Sequence, residues 1–332
     1  MSDLAAARRK VALVIACCFG AVLLQPALAQ TKYPSKSVRM IVPFPPGQAA
    51  DLVGRMLAQR LSSDWGQSVV VENRGGGAGI PAMLAAKSAA ADGHTIVMGT
   101  TQTLSVNPSM YPELPYDPLK DFVAVSGVAI TPLVIVANAG EEPRTVAELV
   151  AAAKRSPGEL PIAVPGQGTS QHLTAELFQS RAEIKLRTVA YKGSGPAMID
   201  LIGGQIPLMM DSLPSALPHI KSGRIRVIAV TSAQRAPQLP EVPTVAESGY
   251  PGFEGLGWAG IVVPAKTPSA IVERISASIR SALESPELKA SIIARGAIPH
   301  PHTPGDYAAF IRAEIAKWAP VAKQAGSPYQ RL

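Results

Sequence analysis

The sequence predicts an α/β protein, and three features support this class. Short runs rich in β-branched residues alternate with longer stretches in which Ala and Leu recur at helical spacing. The chain has 332 residues, of which 47% are hydrophobic and 17% are charged. A chain of this size can bury a large core without disulfide bonds. At about 150 residues per domain, its length favours two domains.

The predicted strands are short apolar or β-branched runs that end at Gly, Pro or polar residues. They cover 38–42, 68–72, 94–99, 133–137, 162–164, 186–190, 207–210 and 226–230. Two apolar, strand-like segments, 131–138 and 256–263, are candidates for the places where the chain crosses between domains.

The predicted helices carry apolar residues at helical spacing. The first follows Gly47 and is expected to bury one face, formed by Leu52, Met56, Leu57 and Leu61. Later helices are predicted at 80–89, 269–283, 286–294 and 304–324.

Residues 1–29 have the pattern of a secretory signal peptide. Positive residues at 8–10 precede an uncharged apolar run at 11–24, and Ala27-Leu28-Ala29 supplies the small residues of a cleavage site. The apolar run is too short to span a membrane. We therefore expect cleavage after Ala29 and a periplasmic protein. Residues 14–17 loosely resemble a lipoprotein box, but cleavage there would leave another apolar stretch on the mature chain.

The composition of the mature chain excludes several classes of protein. Both cysteines, Cys17 and Cys18, lie in the signal segment, which leaves no disulfide and no all-cysteine zinc site. Removing that segment lowers the formal net charge from +7 to +5. The positive charges are scattered, so a nucleic-acid partner is not expected. No later segment has 18 uninterrupted apolar residues, so we expect a soluble mature protein.

Four loops rich in Gly, Ser, Thr and Pro follow predicted strands and lead into helices. They are 43–51, 99–107, 165–172 and 191–196. Loops at the carboxyl ends of strands are where open α/β sheets bind ligands, and helix N-termini attract anions. The loops contain no Arg and one Lys, Lys192, so a carboxylate there would be held by backbone N–H groups, hydroxyls and water. Each loop alone is also compatible with an ordinary strand-to-helix turn.

Two enzyme hypotheses find little support in the sequence. Residues 77–82 fit the G-x-G-x-x-A pattern of dinucleotide sites, but 72–74 separate the glycines from the strand and no acidic residue follows at the expected place. Ser170 and His172 have the chemistry of a nucleophile and its base. Two positions apart at a helix start, however, they point to nearly opposite sides.

Metal binding and acid catalysis are equally weak hypotheses. His300 and His302 lie on one side of an extended segment, without a third ligand nearby in the sequence, and are interpreted as exposed loop histidines. Asp51 could serve as a catalytic acid, but its place in the first helical turn favours a role as a helix cap. No catalytic residue, metal or cofactor is therefore predicted.

Several motifs give the sequence a family resemblance. They are YPSKSVRMIVPFPPG at 33–47, VENR at 71–74, NPSMY at 107–111, LPYDP at 114–118, YKGSGPA at 191–197, LPSALPHI at 213–220, VPTVAE at 242–247 and PGF at 251–253. In this order, across essentially the whole mature chain, they resemble the Bug/TctC family. Members of that family are extracytoplasmic solute receptors of tripartite tricarboxylate transporters.

The resemblance implies a type II periplasmic-binding-protein fold. Two α/β lobes joined by crossing strands would close on a ligand in the cleft between them. Lobe 1 would comprise 31–130 and 256–332, and lobe 2 would comprise 131–255. The resemblance also implies a small carboxylate ligand: a di- or tricarboxylate, an aromatic acid or an acidic amino acid.

The family pattern assigns ligand-binding roles to eleven residues. They are Pro45, Gly47, Gln48 and Asp51 in the first loop; Gly166, Gly168, Thr169, Ser170 and His172 in a later loop; and Thr101 and Tyr191 at the walls. The family often has a second glycine where this chain has Gln48. That amide either contacts the ligand or faces solvent, and the sequence does not separate the two.

The function predicted from these observations is that of a non-catalytic, monomeric solute-binding protein. It would capture a small organic carboxylate by hinge closure. It would then deliver the ligand to membrane permease subunits of a tripartite tricarboxylate-type transporter. The alternatives are a purely sensory receptor that reports to a sensor protein, and a secreted hydrolase that uses Ser170 and His172.

Overall fold

The computed structural model describes residues 33–324 and confirms the predicted α/β class. The predicted signal peptide, 1–29, lies outside the described residues. The fold set out below belongs to the described part of the unit Lys36–Leu332. Over the same residues, no helix has both the length and the apolar character that a membrane span requires.

Ten strands of the described residues form one mixed sheet. They are β1 (Val38–Val42), β2 (Val69–Asn73), β3 (Thr95–Thr100), β4 (Phe122–Asn138), β5 (Pro161–Val164), β6 (Arg187–Ala190), β7 (Leu208–Ser212), β8 (Ile225–Val230), β9 (Leu256–Pro264) and β10 (Ile298–Pro299). Hydrogen bonds join them in the order β2-β1-β3-β9-β4-β7-β5-β6, and β8 and β10 also pair with β4. The pairs of β1 with β2 and β3, and of β5 with β6 and β7, are parallel.

Strand β4 divides this sheet into two sets. Its first part, up to Pro132, pairs with β9 and β10, whereas its second part, from Leu133, pairs with β7 and β8. The first strand set therefore contains β1, β2, β3, β9 and β10, and the second contains β5 to β8. The predicted crossing segment 131–138 lies in β4 across this division. The other, 256–263, lies in β9, whose strand partners in the described residues are β3 and β4.

The helices of residues 33–324 lie between the strands along the chain and after the last of them. They are α1 (Ala49–Trp65), α2 (Ile80–Lys87), α3 (Asn107–Met110), α4 (Val146–Arg155), α5 (Ser170–Ala182), α6 (Ser194–Ile202), α7 (Leu213–Lys221), α8 (Ser269–Glu284), α9 (Pro286–Ala294) and α10 (Pro304–Gln324). A 3-10 turn, Gly77–Gly79, precedes α2. A π-helical turn, Thr101–Val106, follows β3 within the segment predicted as a loop.

Helix α1 buries a face slightly different from the predicted one. Leu57 and Leu61 are fully buried, but Leu52 and Met56 are half-buried. Gly54 belongs to the buried face: a Cβ there would lie 3.3 Å from a side-chain atom of Met98 in the sheet. The observed face therefore combines this small residue with Val53, Leu57 and Leu61.

Three core clusters lie entirely within residues 33–324, and each belongs to one of the two strand sets. One packs α2 and α10 onto the first set and includes Met83, Trp258 and Trp318. The other two contain alternate side chains of the second set, represented by Ile135 and Val134 of β4. Since successive side chains of a strand point to opposite faces, the second set is covered by core residues on both faces.

Candidate ligand-binding site

Two neighbouring spaces lie where the loops of the first strand set meet those of the second. The smaller, called the chamber, has a volume of about 40 Å³, and the larger, called the cleft, has a volume of about 570 Å³. Phe44, Gln48 and Gln102 line both. The polar residues of the chamber are Gln48, Thr100, Thr101, Gln102, Thr131, Ser170, Gln171 and Ser212. The cleft is lined mainly by residues of the segments 43–48, 75–79, 165–169 and 191–193.

The loop between β1 and α1 is shaped by Gly47 and Asp51. Gly47 has a φ of +88°, a conformation that favours glycine, and its N–H donates to Asp51 Oδ2 at 2.9 Å. Asp51 Oδ1 accepts hydrogen bonds from Arg55 Nε at 2.9 Å and Asn73 Nδ2 at 2.8 Å. Burial opposes ionisation of Asp51, but these hydrogen bonds outweigh it and hold the pKa of the carboxyl below its ordinary value. Asp51 thus fixes the loop.

Gln48 is the N-cap of α1 and lines both the chamber and the cleft. Its side chain makes no capping hydrogen bond, and the residue is only 5% exposed. Because Gln48 is buried, the prediction that its amide contacts a ligand is favoured over the alternative that it faces solvent. The first intrahelical bond runs from the N–H of Leu52 to the carbonyl of Gln48. The N–H groups of Ala49 and Ala50, which line the chamber, therefore have no acceptor within the helix.

The π-helical turn after β3 contributes Thr101 and Gln102. Thr101 Oγ1 accepts a hydrogen bond from the N–H of Trp258 at 3.0 Å, which ties the turn to β9. Gln102 Nε2 donates to the carbonyl of Gln167 at 2.7 Å. Because Gln167 follows β5, this bond joins the loops of the two strand sets across the site.

The start of α5 contributes Ser170 and Gln171 to the chamber. The N-cap Thr169 accepts a hydrogen bond from the N–H of His172 at 3.2 Å, and its hydroxyl donates to the carbonyl of Gly166 at 2.7 Å. Thr169 and Gly166 line the cleft. The helix N-terminus and the loop that precedes it therefore face the two spaces together.

Strands β4, β7 and β9 complete the chamber. Ser212 ends β7 and is the N-cap of α7. A Cβ at Gly257 would lie 2.9 Å from both Ser170 Oγ and Thr131 Oγ1. Only a glycine at this position lets the two hydroxyls approach the β9 backbone so closely.

Tyr191 forms part of the cleft wall in a fixed orientation. Its hydroxyl donates to Asp200 Oδ2 at 2.7 Å. Burial, together with the neighbouring Asp200 carboxylate, raises the pKa of Tyr191 to about 12. The phenol is therefore neutral at physiological pH and presents its ring to the cleft.

The chamber is chemically suited to an anion held by neutral groups. None of its lining residues has a charged side chain; hydroxyls, amides and the first turns of α1 and α5 surround it. Helix N-termini carry partial positive charge and stabilise anions. A water needs about 10 to 15 Å³ by the same measure of volume. The chamber thus has room for about three waters, or for a carboxylate group with one of them.

The structure brings seven of the predicted site residues to these spaces. Gln48, Thr101 and Ser170 line the chamber, and Pro45, Gln48, Gly166, Thr169 and Tyr191 line the cleft. The other four, Gly47, Asp51, Gly168 and His172, line neither. Gly168 has a φ of +73°, and its N–H donates to His172 Nδ1 at 3.1 Å, so this pair shapes the loop before α5.

Sequence reasoning missed several residues of the chamber. Gln102 and Gln171 adjoin predicted site residues, and Ser212 follows a predicted strand. The expectation that ligands bind where a strand leads into a helix could therefore have identified all three. Thr131 and Trp258 lie inside strands, where nothing in the local sequence marks them as site residues.

The geometry of Ser170 and His172 does not match a nucleophile and its base. Ser170 Oγ donates to Gln171 Oε1 at 3.1 Å. His172 Nδ1 already accepts the N–H of Gly168, and Nε2 lies 3.8 Å from Glu176 Oε1. Burial lowers the pKa of His172. Neither ring nitrogen is placed to accept the proton of the serine hydroxyl.

Close packing explains Gly75 and Gly79 of the segment 75–79, and positive φ angles of +91° and +51° explain Gly76 and Gly77. A Cβ at Gly79 would lie 2.6 Å from Thr103 Cγ2 and 3.0 Å from Pro43 Cβ. The turn therefore lies directly against the loops after β1 and β3. Its lack of side chains also keeps this side of the cleft open.

The interpretation of His300 and His302 as exposed loop histidines is wrong. Both are half-buried, their ring centroids are 4.2 Å apart, and both rings contact Phe310. Burial lowers the pKa of His300 to about 4. Helix α10 packs its aromatic face over this segment, a contact that the local sequence does not reveal. Within residues 33–324 there is no group of three side chains placed to bind a metal ion.

Comparison with known proteins identifies the family. The family model described as "Tripartite tricarboxylate transporter family receptor" matches residues 53–327. The chain belongs to this family. The receptor is 39% identical over 303 residues to Protein BugT of Bordetella pertussis, with 91% of the receptor and 93% of BugT covered.

Solved structures confirm the predicted fold of the receptor. It matches the periplasmic binding protein BugD with a TM-score of 0.83 and 33% identity, covering 89% of the receptor and 99% of BugD. It matches R. palustris Rpa4515, solved with adipate, with a TM-score of 0.85 and 36% identity, covering 88% and 98% of the two chains. The receptor is thus an α/β protein of the periplasmic-binding-protein type.

Proposed function

We propose that this receptor binds a small organic carboxylate in the chamber and the cleft and delivers it to membrane permease subunits of a tripartite tricarboxylate-type transporter. The observation that carries the proposal is the chamber, in which hydroxyls, amides and helix N-termini surround a space without a charged side chain. The adipate of Rpa4515, a dicarboxylate, is consistent with this chemistry.

Capture would involve both predicted lobes, 31–130 with 256–332 and 131–255. The loops after β1 and β3 belong to the first, and the loops after β5, β6 and β7 belong to the second. A ligand in the chamber would touch residues of both, such as Thr101 and Ser170. Its binding free energy would therefore favour the closed arrangement.

Export would precede binding. Cleavage after Ala29 would release the mature chain into the periplasm as a monomer. Once there, the receptor would bind the ligand without changing it chemically, a role supported by the different hydrogen-bond partners of Ser170 and His172.

The test is a binding screen on the mature protein. Because a receptor can retain its ligand through purification, the protein is unfolded in denaturant, dialysed and refolded, and the released small molecules are analysed by mass spectrometry. The refolded protein is then screened by thermal shift against organic acids, amino acids and their amides. A ligand at 100 times its dissociation constant stabilises the fold by about 2.7 kcal/mol. We expect hits among carboxylates and none among the matching amides.

A pair of serine variants locates the site. Ser170→Ala removes a hydroxyl of the chamber and should weaken binding of the best acid by about tenfold, since a buried hydrogen bond to a charged group contributes about 1.5 to 3 kcal/mol. Ser156→Ala, at an exposed position at the end of α4, serves as the control. Equal affinities in both variants would refute the chamber as the carboxylate site. Conversion of the ligand into product would refute a pure binding role.

A further inference from the structure

Lys192 differs from every other residue that lines the two spaces. It is exposed, it lines the cleft, and it alone among the lining residues has a charged side chain. Its ammonium group makes no hydrogen bond and no ion pair with any residue of 33–324. The cleft therefore contains one cation whose charge the described part of the chain does not neutralise.

The backbone on both sides of Lys192 is fixed. The N–H of Tyr191 donates to the carbonyl of Val164 at 2.9 Å, and the N–H of Gly193 donates to the carbonyl of Pro165 at 2.8 Å. The Tyr191 hydroxyl is anchored on Asp200. A lysine on a loop held in this way differs from an ordinary surface lysine, because its side chain starts from a defined place at the cleft.

The packing of Gly193 also brings this loop to the opposite side of the site. Gly193 has a φ of +116°, and a Cβ there would lie 3.3 Å from Gln48 Nε2 and 3.4 Å from Pro45 Cγ. Gln48 lines the chamber as well as the cleft. Lys192 thus precedes a residue that packs against Gln48, one of the side chains shared by the two spaces.

The basic residues near the cleft loops are already paired. Arg55 bonds to Asp51, and Arg74 contacts Glu72. Neither arginine lines the chamber or the cleft. The segment 75–79 contributes only small residues, so the cleft has room for a ligand that extends out of the chamber.

On the basis of the proposed function, we propose that Lys192 binds the second anionic group of a linear dicarboxylate whose first carboxylate occupies the chamber. The two ends of the ligand are then recognised differently. Neutral donors and helix N-termini bind the first carboxylate, and the Lys192 ammonium attracts the second. The receptor would accordingly prefer dicarboxylates to monocarboxylates of the same chain length.

The test compares two ligands on four proteins. Adipate and hexanoate have the same number of carbons and differ in the second carboxylate. Their dissociation constants are measured by calorimetry on the wild type, Lys192→Met, Lys192→Arg and Lys266→Met. Lys266 is an exposed lysine of the loop after β9 that lines neither space, so its variant controls for the loss of one positive charge.

We expect the wild type and Lys266→Met to bind adipate at least tenfold more tightly than hexanoate. Lys192→Met should weaken adipate binding about tenfold, which corresponds to about 1.4 kcal/mol, and leave hexanoate binding unchanged. Lys192→Arg should retain most of the preference because it keeps the charge. Added salt should reduce adipate affinity more in the wild type than in Lys192→Met.

Two failures of this experiment have different meanings. Equal effects of Lys192→Met on adipate and hexanoate, or no effect on adipate, would overturn the role of Lys192 while leaving carboxylate binding intact. Tighter binding of hexanoate than of adipate by the wild type would also overturn the role of Lys192 and leave carboxylate binding intact. If neither adipate, hexanoate nor any other acid of the screen bound to the refolded wild type, the proposed function would fail, and the role of Lys192 with it.

Discussion

Asp211 is a fully buried carboxyl group directly before Ser212 of the chamber. Its Oδ1 accepts hydrogen bonds from Ser194 Oγ at 2.8 Å and from the N–H of Ser212 at 2.7 Å. Burial raises the pKa of Asp211 to about 7, and the hydrogen bonds from Ser194, Ser212 and Gln171 offset only part of that effect. In the described residues it has no ionic partner, since each group that contacts it is neutral.

The raised pKa of Asp211 predicts a specific dependence of stability on pH. The unfolded carboxyl titrates near 3.8 and the folded one near 7. Between these values the folded state keeps a proton that the unfolded state has lost, so stability falls as the pH rises. Without ligand, we therefore expect the wild type to lose stability relative to Asp211→Asn, which is neutral throughout, as the pH rises from 5 to 8. The melting temperatures are compared as a difference because the lowered pKa values of His172 and His300 stabilise the folded state of both proteins as the pH rises.

Asp64→Asn, at an exposed position, is the control and should keep the slope of the wild type. A melting temperature with the same pH slope in Asp211→Asn and the wild type would contradict the prediction. Calorimetric unfolding at a series of pH values makes the comparison.

The sequence predicted site residues where strands lead into helices and missed those that depend on distant packing. Gln48, Thr101 and Ser170 follow predicted strands, and all three line the chamber. Trp258 reaches the chamber because β9 pairs with β3, which precedes it by more than a hundred residues in the chain. Asp51 was predicted from the family pattern, but its carboxylate accepts hydrogen bonds from Gly47 and Asn73 and lines neither space. The sequence does not predict the bond from Asn73, because that bond depends on the pairing of β1 with β2.

Helix α10 and strand β9 are joined by one buried carboxylate. Glu314 Oε2 accepts hydrogen bonds from the indole N–H of Trp258 at 2.7 Å and from that of Trp318 at 2.9 Å. Because Trp258 lines the chamber, this contact links the C-terminal helix to the candidate site.

Removing the carboxylate should loosen this connection between helix and strand. Glu314→Ala leaves two buried indole donors without an acceptor, at about 1 to 3 kcal/mol each. We expect the free energy of unfolding to fall by about 2 to 6 kcal/mol in denaturant titrations. Glu314→Gln keeps an acceptor oxygen and should lose less. Glu273→Ala, at an exposed position on α8, should have little effect. A Glu314→Ala protein as stable as the wild type would show that the indoles find other partners.

At the scale of elements, local patterns predicted bounds close to the observed ones for most strands and for the last three helices, but no bounds were predicted for α4 to α7. Helices α9 and α10 begin and end where the sequence indicated, and a proline at the first helical position marks the start of each. The first part of β4 was missed: its pairing with β9 shifts register near Ser126 and Gly127, which interrupt the β-branched pattern. The π-helical turn 101–106 was missed because TQTLSV has no helical apolar repeat.

Across the whole molecule, the two strand sets are in contact on both sides of the site. Gln102 Nε2 bonds to the carbonyl of Gln167, and Ser215 Oγ donates to the carbonyl of Gly47 at 3.3 Å. Gln102 and Gly47 follow strands of the first set, whereas Gln167 and Ser215 follow strands of the second. If the predicted lobes separate by a hinge motion, these bonds exist only in the closed arrangement.

Ser215 lines neither the chamber nor the cleft, but its Oγ also accepts a hydrogen bond from Ser212 Oγ of the chamber at 2.9 Å. Ser215→Ala therefore removes the bond to Gly47, which stabilises only the closed arrangement, and leaves the Ser212 hydroxyl to find another acceptor. A net hydrogen bond contributes about 0.5 to 1.5 kcal/mol. We therefore expect the dissociation constant of the ligand to rise about two- to tenfold, mainly through faster dissociation.

Small-angle scattering should give a larger radius of gyration for the ligand-free protein than for the saturated one. Saturating ligand should bring Ser215→Ala to the same compact value as the wild type. An unchanged radius of gyration on ligand binding would contradict hinge closure, and an unchanged dissociation rate in Ser215→Ala would exclude this bond as part of it.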